Sequence, residues 1–300
     1  MVLNIYTEGE VSFHGLQKVG YDQAKQAKVK EPTRLRRFKK HFGASPKVVG
    51  LVWEELQTTD NALAKLAPDE NTQKHFDLFL MCFFYLKTYP IEETLASRFQ
   101  IHEQTARKWI RHFVNKIAEL HNEKVVWPDD NEWDTTFIIS IDCVNFGTNE
   151  PRHPTLHKQK KYFDRKGGKA GLTYEVALHL WENRVVWFNG PFPPNDGGDA
   201  AIFKEKGLQD KIPAGRKAIA DKIYKGIAKI ALHNSLDTPA VREFKGRARA
   251  RQESIMSRLK SFGVLKQRFR HGIAKHEKIA RAVMVICVFQ MENGSPLFSV

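Results

Sequence analysis

From residue 46 to residue 120 the apolar positions recur at helical spacing. Val48, Leu51, Val52 and Leu56 share one face, and Ser45 followed by Pro46 supplies an N-cap and a first helical position. Residues 72–88, TQKHFDLFLMCFFYLKT, are apolar almost all round, which predicts a helix buried on most sides. Tyr89-Pro90 ends it, because proline lacks an N–H and disfavours helix before it. In ETLASRFQIHEQTARKWIRHFVNKI, Leu95, Ala96 and Phe99 form one short apolar face. Ala106, Trp109, Ile110, Phe113 and Ile117 form a second, beyond a turn at Gln100-Ile101-His102.

The period changes after His121–Asp134, HNEKVVWPDDNEWD, a polar stretch that reads as a domain boundary. FIISIDCVNF (137–146), LTYEVALHL (172–180) and RVVWFNGPF (184–192) are short and rich in β-branched residues, and they predict strands. Glu182-Asn183 marks a hairpin turn between the second and third. A short helix, AAIFKEKGL, follows with Asp199 as its expected cap, and RKAIA (216–220) is another short strand. A long helix is expected from about Thr238 to Leu265. A second, Lys275 to Met291, carries Ile279, Val283, Ile286 and Val288 and is expected to cover the sheet.

Three strands, a helix, a strand and then helices make the ribonuclease H-like layout: a mixed α/β sheet flanked by helices, here preceded by an all-α helix-turn-helix domain. The expected division is a basic arm at 1–45, a helical DNA-binding domain at 46–125 and the sheet domain at 135–300. The first segment has no strong periodicity. Lys25, Lys28, Lys30, Arg34, Arg36, Arg37, Lys39 and Lys40 crowd there against only Asp22 and Glu31. It reads as a solvated arm, a phosphate-contacting arm or a nuclear-import signal.

Charge sharpens this picture. The chain of 300 residues carries a formal net charge of +14, which favours a polyanionic partner. It contains no apolar run of the roughly 18 residues that a membrane span needs, and MVLNIYTEGE lacks the order of a secretory signal. Cys82, Cys143 and Cys287 lie far apart in apolar contexts and read as buried free thiols, which fits a reducing compartment. His153 and His157 are four apart, but Pro154 between them breaks a helical metal face. Neither an ATP-binding phosphate loop nor a Gly-x-Ser-x-Gly elbow is present.

Two sets of residues carry candidate chemistry. Gln104, Arg107, Lys108 and Arg111 lie off the apolar face of the second short helix. They would enter a major groove if the pair is a helix-turn-helix, and would be a solvated basic face if it is an ordinary hairpin. The other set is acidic. Asp142 ends the first strand and Asp221 ends the RKAIA strand. Strand-end acids of an open α/β sheet project towards a loop-lined crevice, although a lone one is more often a turn former. Glu253, on the long helix, lies opposite the Ile255, Leu259, Phe262 stripe.

Four blocks carry a resemblance: SIDCVNF, PNDGGDAAIF, AIADKIY and RARARQESIMSRLKSFGVLKQRFRHG. In this order they resemble the PIF/Harbinger-type DDE transposases, relatives of a group of bacterial insertion-sequence transposases. The resemblance runs from about Thr94 to the C-terminus. It implies that Asp142, Asp221 and Glu253 are catalytic metal ligands. Asp199, in the family's His-Asp segment with Gly198 in place of the histidine, is a backup. Two more departures stand out: the family's Asp-Gly-Thr-His reads Asp142-Cys143-Val144-Asn145 here, and Ile223 replaces a glycine before Tyr224.

The resemblance implies a divalent cofactor, Mg2+ or Mn2+, and phosphoryl transfer at transposon ends. Two hard cations held by carboxylates can clamp the attacking and leaving oxygens of an in-line displacement. Arg249, Arg251, Lys266, Arg268 and Arg270 are expected phosphate contacts. The implied partners are double-stranded DNA (transposon ends and target), further copies of the chain and a Myb-like accessory DNA-binding protein. No membrane is expected among them. The implied location is the nucleus of a eukaryotic host or the cytoplasm of a bacterial one. Two rival readings are a domesticated, catalytically silent derivative that binds DNA, and an RNA-binding ribonuclease.

Overall fold

The computed structural model describes residues 6–59, 70–150, 161–165, 167–195, 197–232, 234 and 236–300. The pair His153 and His157 lies outside them. Two compact units are present. One comprises Met1–His121, Ser261–Gln267 and Lys278–Gly294; the other comprises Asn122–Lys260, Arg268–Glu277 and Ser295–Val300.

The first unit is helical. It contains α1 (Glu8–Lys18), α2 (Gln23–Ala27), α3 (Glu31–Phe42), α4 (Pro46–Thr59), α5 (Glu70–Thr88), α6 (Glu92–Phe99) and α7 (Glu103–Glu119). The basic segment expected as an arm is therefore folded. Thr7 and Glu10 form a capping box at the start of α1, and Val11, Leu16, Phe38 and Phe42 are buried. The cations themselves cover aromatic rings there. Arg34 lies over Phe13 at 4.7 Å and Arg37 over Tyr21 at 5.4 Å. A reading by charge alone counts such side chains as solvated and misses the packing of their stems. Helix α5 is buried from Phe79 through Leu86 and ends at Tyr89, whose φ is +50°, before Pro90.

After a short helix, α8 (His121–Lys124), the second unit is built on a mixed sheet. Its strands are β1 (Phe137–Gly147), β2 (Phe163–Asp164), β3 (Lys169–His179), β4 (Val185–Phe192), β5 (Lys217–Ala220) and β6 (Ile230–Leu232). Their order runs β3–β1–β5–β6, and β2 and β4 both pair with β3. β1 is antiparallel to β3 and parallel to β5, β3 is antiparallel to β4, and β5 is parallel to β6. β2 and β6 were not expected, because two and three residues are too short to show a period. Between β4 and β5 run α9 (Asp199–Glu205) and α10 (Leu208–Lys211).

The sheet is covered on both faces. Phe203 and Leu208, from α9 and α10, join Ile139, Ile141, Ala177, Ala218 and Ala220 in one core. Ala248, from α11 (Pro239–Lys260), joins Leu180 and Ile219 on the other face. The long helix stops at Lys260, short of the expected Leu265. Beyond it lies α12 (Gly263–Lys266), where a Cβ on Gly263 would come 2.7 Å from the carbonyl oxygen of Lys87. The last helix, α13 (His276–Glu292), was expected over the sheet. Instead, Lys278–Gly294 belongs to the helical unit, where Gln290 donates to the Gly43 carbonyl at 2.8 Å. Its nearly continuous burial from Ile279 to Phe289 suits a helix surrounded by others rather than one lying on a sheet.

Candidate functional site

In the helical unit, α6 and α7 meet at a tight turn. Gln100 takes a left-handed conformation (φ 55°), which lets the Ile101 N–H reach back to the Ala96 carbonyl at 3.1 Å. His102 caps α7, its Nδ1 accepting from the Gln104 N–H at 3.2 Å. Ala106, Ile110, Phe113, Val114 and Ile117 are buried. Gln104, Arg107, Lys108 and Arg111 are exposed, and their spacing sets them in one row. Arg107 is less available than its exposure suggests. It forms an ion pair with Glu92 at the start of α6, with Nε 3.2 Å from both carboxylate oxygens. This pair braces the two helices, and a phosphate would compete with Glu92 for it. Lys108 lies over the Trp109 ring at 5.7 Å.

In the sheet unit, β1 and β5 run parallel with Ser140 beside Ile219. Two residues further along each chain, Asp142 is still within β1 and Asp221 is the first residue beyond β5. Neighbouring strands lie about 4.8 Å apart, and side chains alternate between faces. Asp142 therefore shares a face with Ser140, but it lies in the middle of β1 and not at the strand end expected of it, because antiparallel pairing with β3 carries β1 on to Gly147. That face is the one α11 covers. The Ser140 hydroxyl donates to Gln252 Oε1 at 3.1 Å, and Gln252 Nε2 donates to the carbonyl of Val176, the cross-strand partner of Asp142, at 2.8 Å. Both acids also shape local backbone. Asp142 Oδ1 accepts from the Cys143 N–H at 2.8 Å, and Asp221 Oδ1 accepts from the Lys222 N–H at 2.6 Å.

Residues 75–121 match the helix-turn-helix of DDE superfamily endonucleases. The match spans about a sixth of the chain, from within α5 to the end of α7. No curated protein and no solved structure matches the chain. The helical region thus carries a DNA-binding helix-turn-helix similar to that of DDE endonucleases, which supports duplex DNA as a partner.

The remaining expected site residues separate into distinct roles. Glu253 is exposed on α11, next to the anchored Gln252. Arg249, one turn earlier, places a guanidinium nitrogen 3.7 Å from Asp221 Oδ1. Among the described residues no group of three or more His, Cys, Asp or Glu is gathered to hold a metal ion. The two aspartates have the oxygen donors a hard divalent ion takes, and Glu253 is not brought into a set with them. Asp199 is the first residue of α9 rather than its cap; Gly198 holds the cap position at φ 75°.

Arg251, expected to contact phosphate, is turned inward. It is 2% exposed and donates to the carbonyls of His179, Leu180 and Glu182 at 3.0, 2.5 and 2.8 Å, which fixes the β3–β4 turn. Arg268 donates to the Thr148 carbonyl at 3.2 Å, beside the bridge between Thr148 and Phe269, and Arg270 is exposed.

The other sheet face holds Glu175, which the sequence reading passed over, with Cys143 and Tyr224. Glu175 pairs across the strands with Cys143, is fully buried and accepts from Trp187 Nε1 at 2.9 Å. Burial pushes its carboxyl up to about 7, against the pull of the Trp187 bond, and the charge of Asp199 adds to the rise. The Cys143 thiol and the Tyr224 hydroxyl lie 3.7 Å apart, and burial raises both. Glu175 stands in a strand buried at every position after Lys169. That position was the available signal, and the apolar neighbours masked it.

Proposed function

We propose that the chain is a DDE-type transposase or endonuclease of the PIF/Harbinger kind. Its helix-turn-helix binds transposon ends and its ribonuclease H-like sheet unit performs phosphoryl transfer. The parallel pairing of β1, which holds Asp142, with β5, which Asp221 follows, supports this reading in a chain whose helix pair matches that of DDE endonucleases. The strand order supports the fold assignment: an antiparallel β1–β3–β4 set is extended on the far side of β1 by two strands parallel to it. Asp142 and Asp221, with Glu253 from α11, are the residues that would hold Mg2+ or Mn2+. Such ions supply charge neutralisation at the scissile phosphate and activation of water. Arg249 beside Asp221 and the exposed Arg270 suit phosphate oxygens. Pairing of two DNA ends calls for more than one copy of the chain. A Myb-like accessory partner and a nuclear or bacterial cytoplasmic location rest on the family resemblance.

The test is cleavage of duplex DNA carrying the element's inverted terminal repeats, with Mg2+ or Mn2+ added. Cleavage should occur with the intact chain and vanish in Asp142→Ala and in Asp221→Ala, both of which should still bind the duplex. Cleavage that persists in both variants would end the catalytic assignment. One observation favours a second reading, a domesticated DNA-binding derivative: Glu253 is not gathered with the two aspartates. Binding without cleavage by the intact chain under either metal, at a locus lacking flanking inverted repeats, would select that reading.

A further inference from the structure

Helix α3 ends at Gly43, whose φ of 81° allows the left-handed turn that caps it. Lys87, near the end of α5, lies against that turn: a Cβ on Gly43 would come 3.2 Å from the Lys87 side chain. Lys87 is fixed there. Its ammonium donates to the Ser261 carbonyl at 2.6 Å and lies 5.6 Å from the centre of the Phe262 ring. The segment after α11 closes the arrangement, with Gln267 donating to the Thr88 carbonyl at 3.2 Å. Three stretches that are remote in sequence thus converge within the helical unit: the end of α3 with Lys39 and Lys40, the end of α5 with Lys87, and α12 with Lys266.

The four lysines of these stretches bring like charges to the junction. Lys39, Lys40 and Lys266 are exposed. Among the described residues no carboxylate forms an ion pair with any of the four. Burial lowers the Lys87 pKa, and the charges of Lys39 and Lys266 lower it further. Beside the patch, His41 stacks on Phe84 at 6.3 Å, and Arg98 of α6 lies over the same ring at 5.6 Å. The cations therefore continue towards the first helix of the helix-turn-helix, the helix that crosses the DNA backbone in this motif. Like charges held together without a counter-charge weaken the fold, and a bound polyanion removes that cost.

We propose that Lys39, Lys40, Lys87 and Lys266 form a second DNA-contacting surface that grips backbone phosphates outside the helix-turn-helix. The assignment rests on the DNA-binding reading and adds to it a surface that includes α12, a segment more than 140 residues beyond α7 in the chain. Its contacts are to phosphate, so they add affinity without sequence preference.

The experiment measures affinity of the full chain for a labelled duplex across a salt series, by fluorescence anisotropy. Each phosphate contact adds about 0.9 to the slope of log K against log salt. Replacing Lys39, Lys40 and Lys266 together by Gln should lower that slope by about 2–3, equally for specific and random duplexes. The triple Arg variant should restore it, and Lys74→Gln, which removes an exposed lysine of α5 outside the patch, should leave it unchanged. If the triple Gln variant does not fold, Lys266→Gln alone should lower the slope by about 1. An unchanged slope in a chain that binds DNA overturns the surface and leaves the helix-turn-helix reading standing. Failure of the intact chain to bind any duplex overturns both. Binding to phosphatidylserine vesicles that the triple Gln variant loses, with the DNA slope unmoved, would assign the patch to a membrane instead and overturn the proposal.

Discussion

Arg247, Arg249 and Arg251 alternate along one short stretch and read alike as cations, yet each has a different role. Arg247 donates to the Ser299 carbonyl and lies over the Phe298 ring at 5.6 Å. Arg249 faces Asp221, and Arg251 is buried against three carbonyls. Replacing Arg251 by Met should lower stability by about 3–5 kcal/mol, because the carbonyls it satisfies lose their charged donor. A urea titration checks this, and DNA affinity of the folded variant should be unchanged. Glu175 makes a second prediction at this scale. Its folded pKa, about 7, lies above the unfolded value near 4.5, so the native state binds the proton more tightly. Stability from this group is full below pH 4.5 and falls as pH rises through 7, by about 3 kcal/mol in total. Glu175→Gln should remove that dependence and make the protein more stable at pH 8 than the parent, measured by urea titration at pH 5 and pH 8.

At the scale of elements, the helix-turn-helix depends on its turn. Gln100 sits at φ 55°, a conformation that costs an L-residue about 1–2 kcal/mol and costs glycine nothing sterically. Gln100→Gly should keep stability within about 1 kcal/mol, since relief of strain offsets glycine's larger entropy loss. Gln100→Val should lose about 1–2 kcal/mol, because a β-branched side chain fits this region worst. Thermal melts and DNA binding of the two variants check it. The helix pair was legible in the sequence because Ala106, Ile110, Phe113 and Ile117 repeat cleanly over about three turns. β1 and β5 were legible as short apolar runs, but the acid that interrupts the first run does not end its strand, since β1 continues past Asp142 to Gly147. What no local pattern carries is register. That β1 and β5 are neighbours shows only in the pairing of Ser140 with Ile219, residues far apart in the chain. Burial is legible at closer range. RARARQE has no apolar stripe of its own, and only the Ile255 and Leu259 stripe one turn on orients it, setting Glu253 outward and Arg251 and Gln252 inward.

At the scale of the molecule, the expected linear division into arm, helical domain and sheet domain gives way to two interleaved units. The chain passes between them five times, and the last two stretches of the helical unit lie beyond residue 260. Sequence reading assigns domains by composition along the chain, so it cannot see a unit completed from the far end. The consequence is energetic. Helix α13 contributes Ile279, Val283, Met284, Val285, Ile286, Val288 and Phe289 as buried side chains. Each such side chain stabilises by about 1.5–3 kcal/mol when fully buried. Their joint loss reaches the whole net stability of an ordinary domain, about 5–15 kcal/mol. A fragment holding residues 1–121 alone should therefore show helical far-ultraviolet dichroism without a cooperative melt, and it should be cut rapidly by protease within α5. Joining residues 261–294 to it through a flexible linker should restore the cooperative melt, because the missing face of the helical core returns with α12 and α13. A sharp melt from residues 1–121 alone would mean that the helical unit is complete without them, and the Lys266 contact to DNA would lose its structural basis.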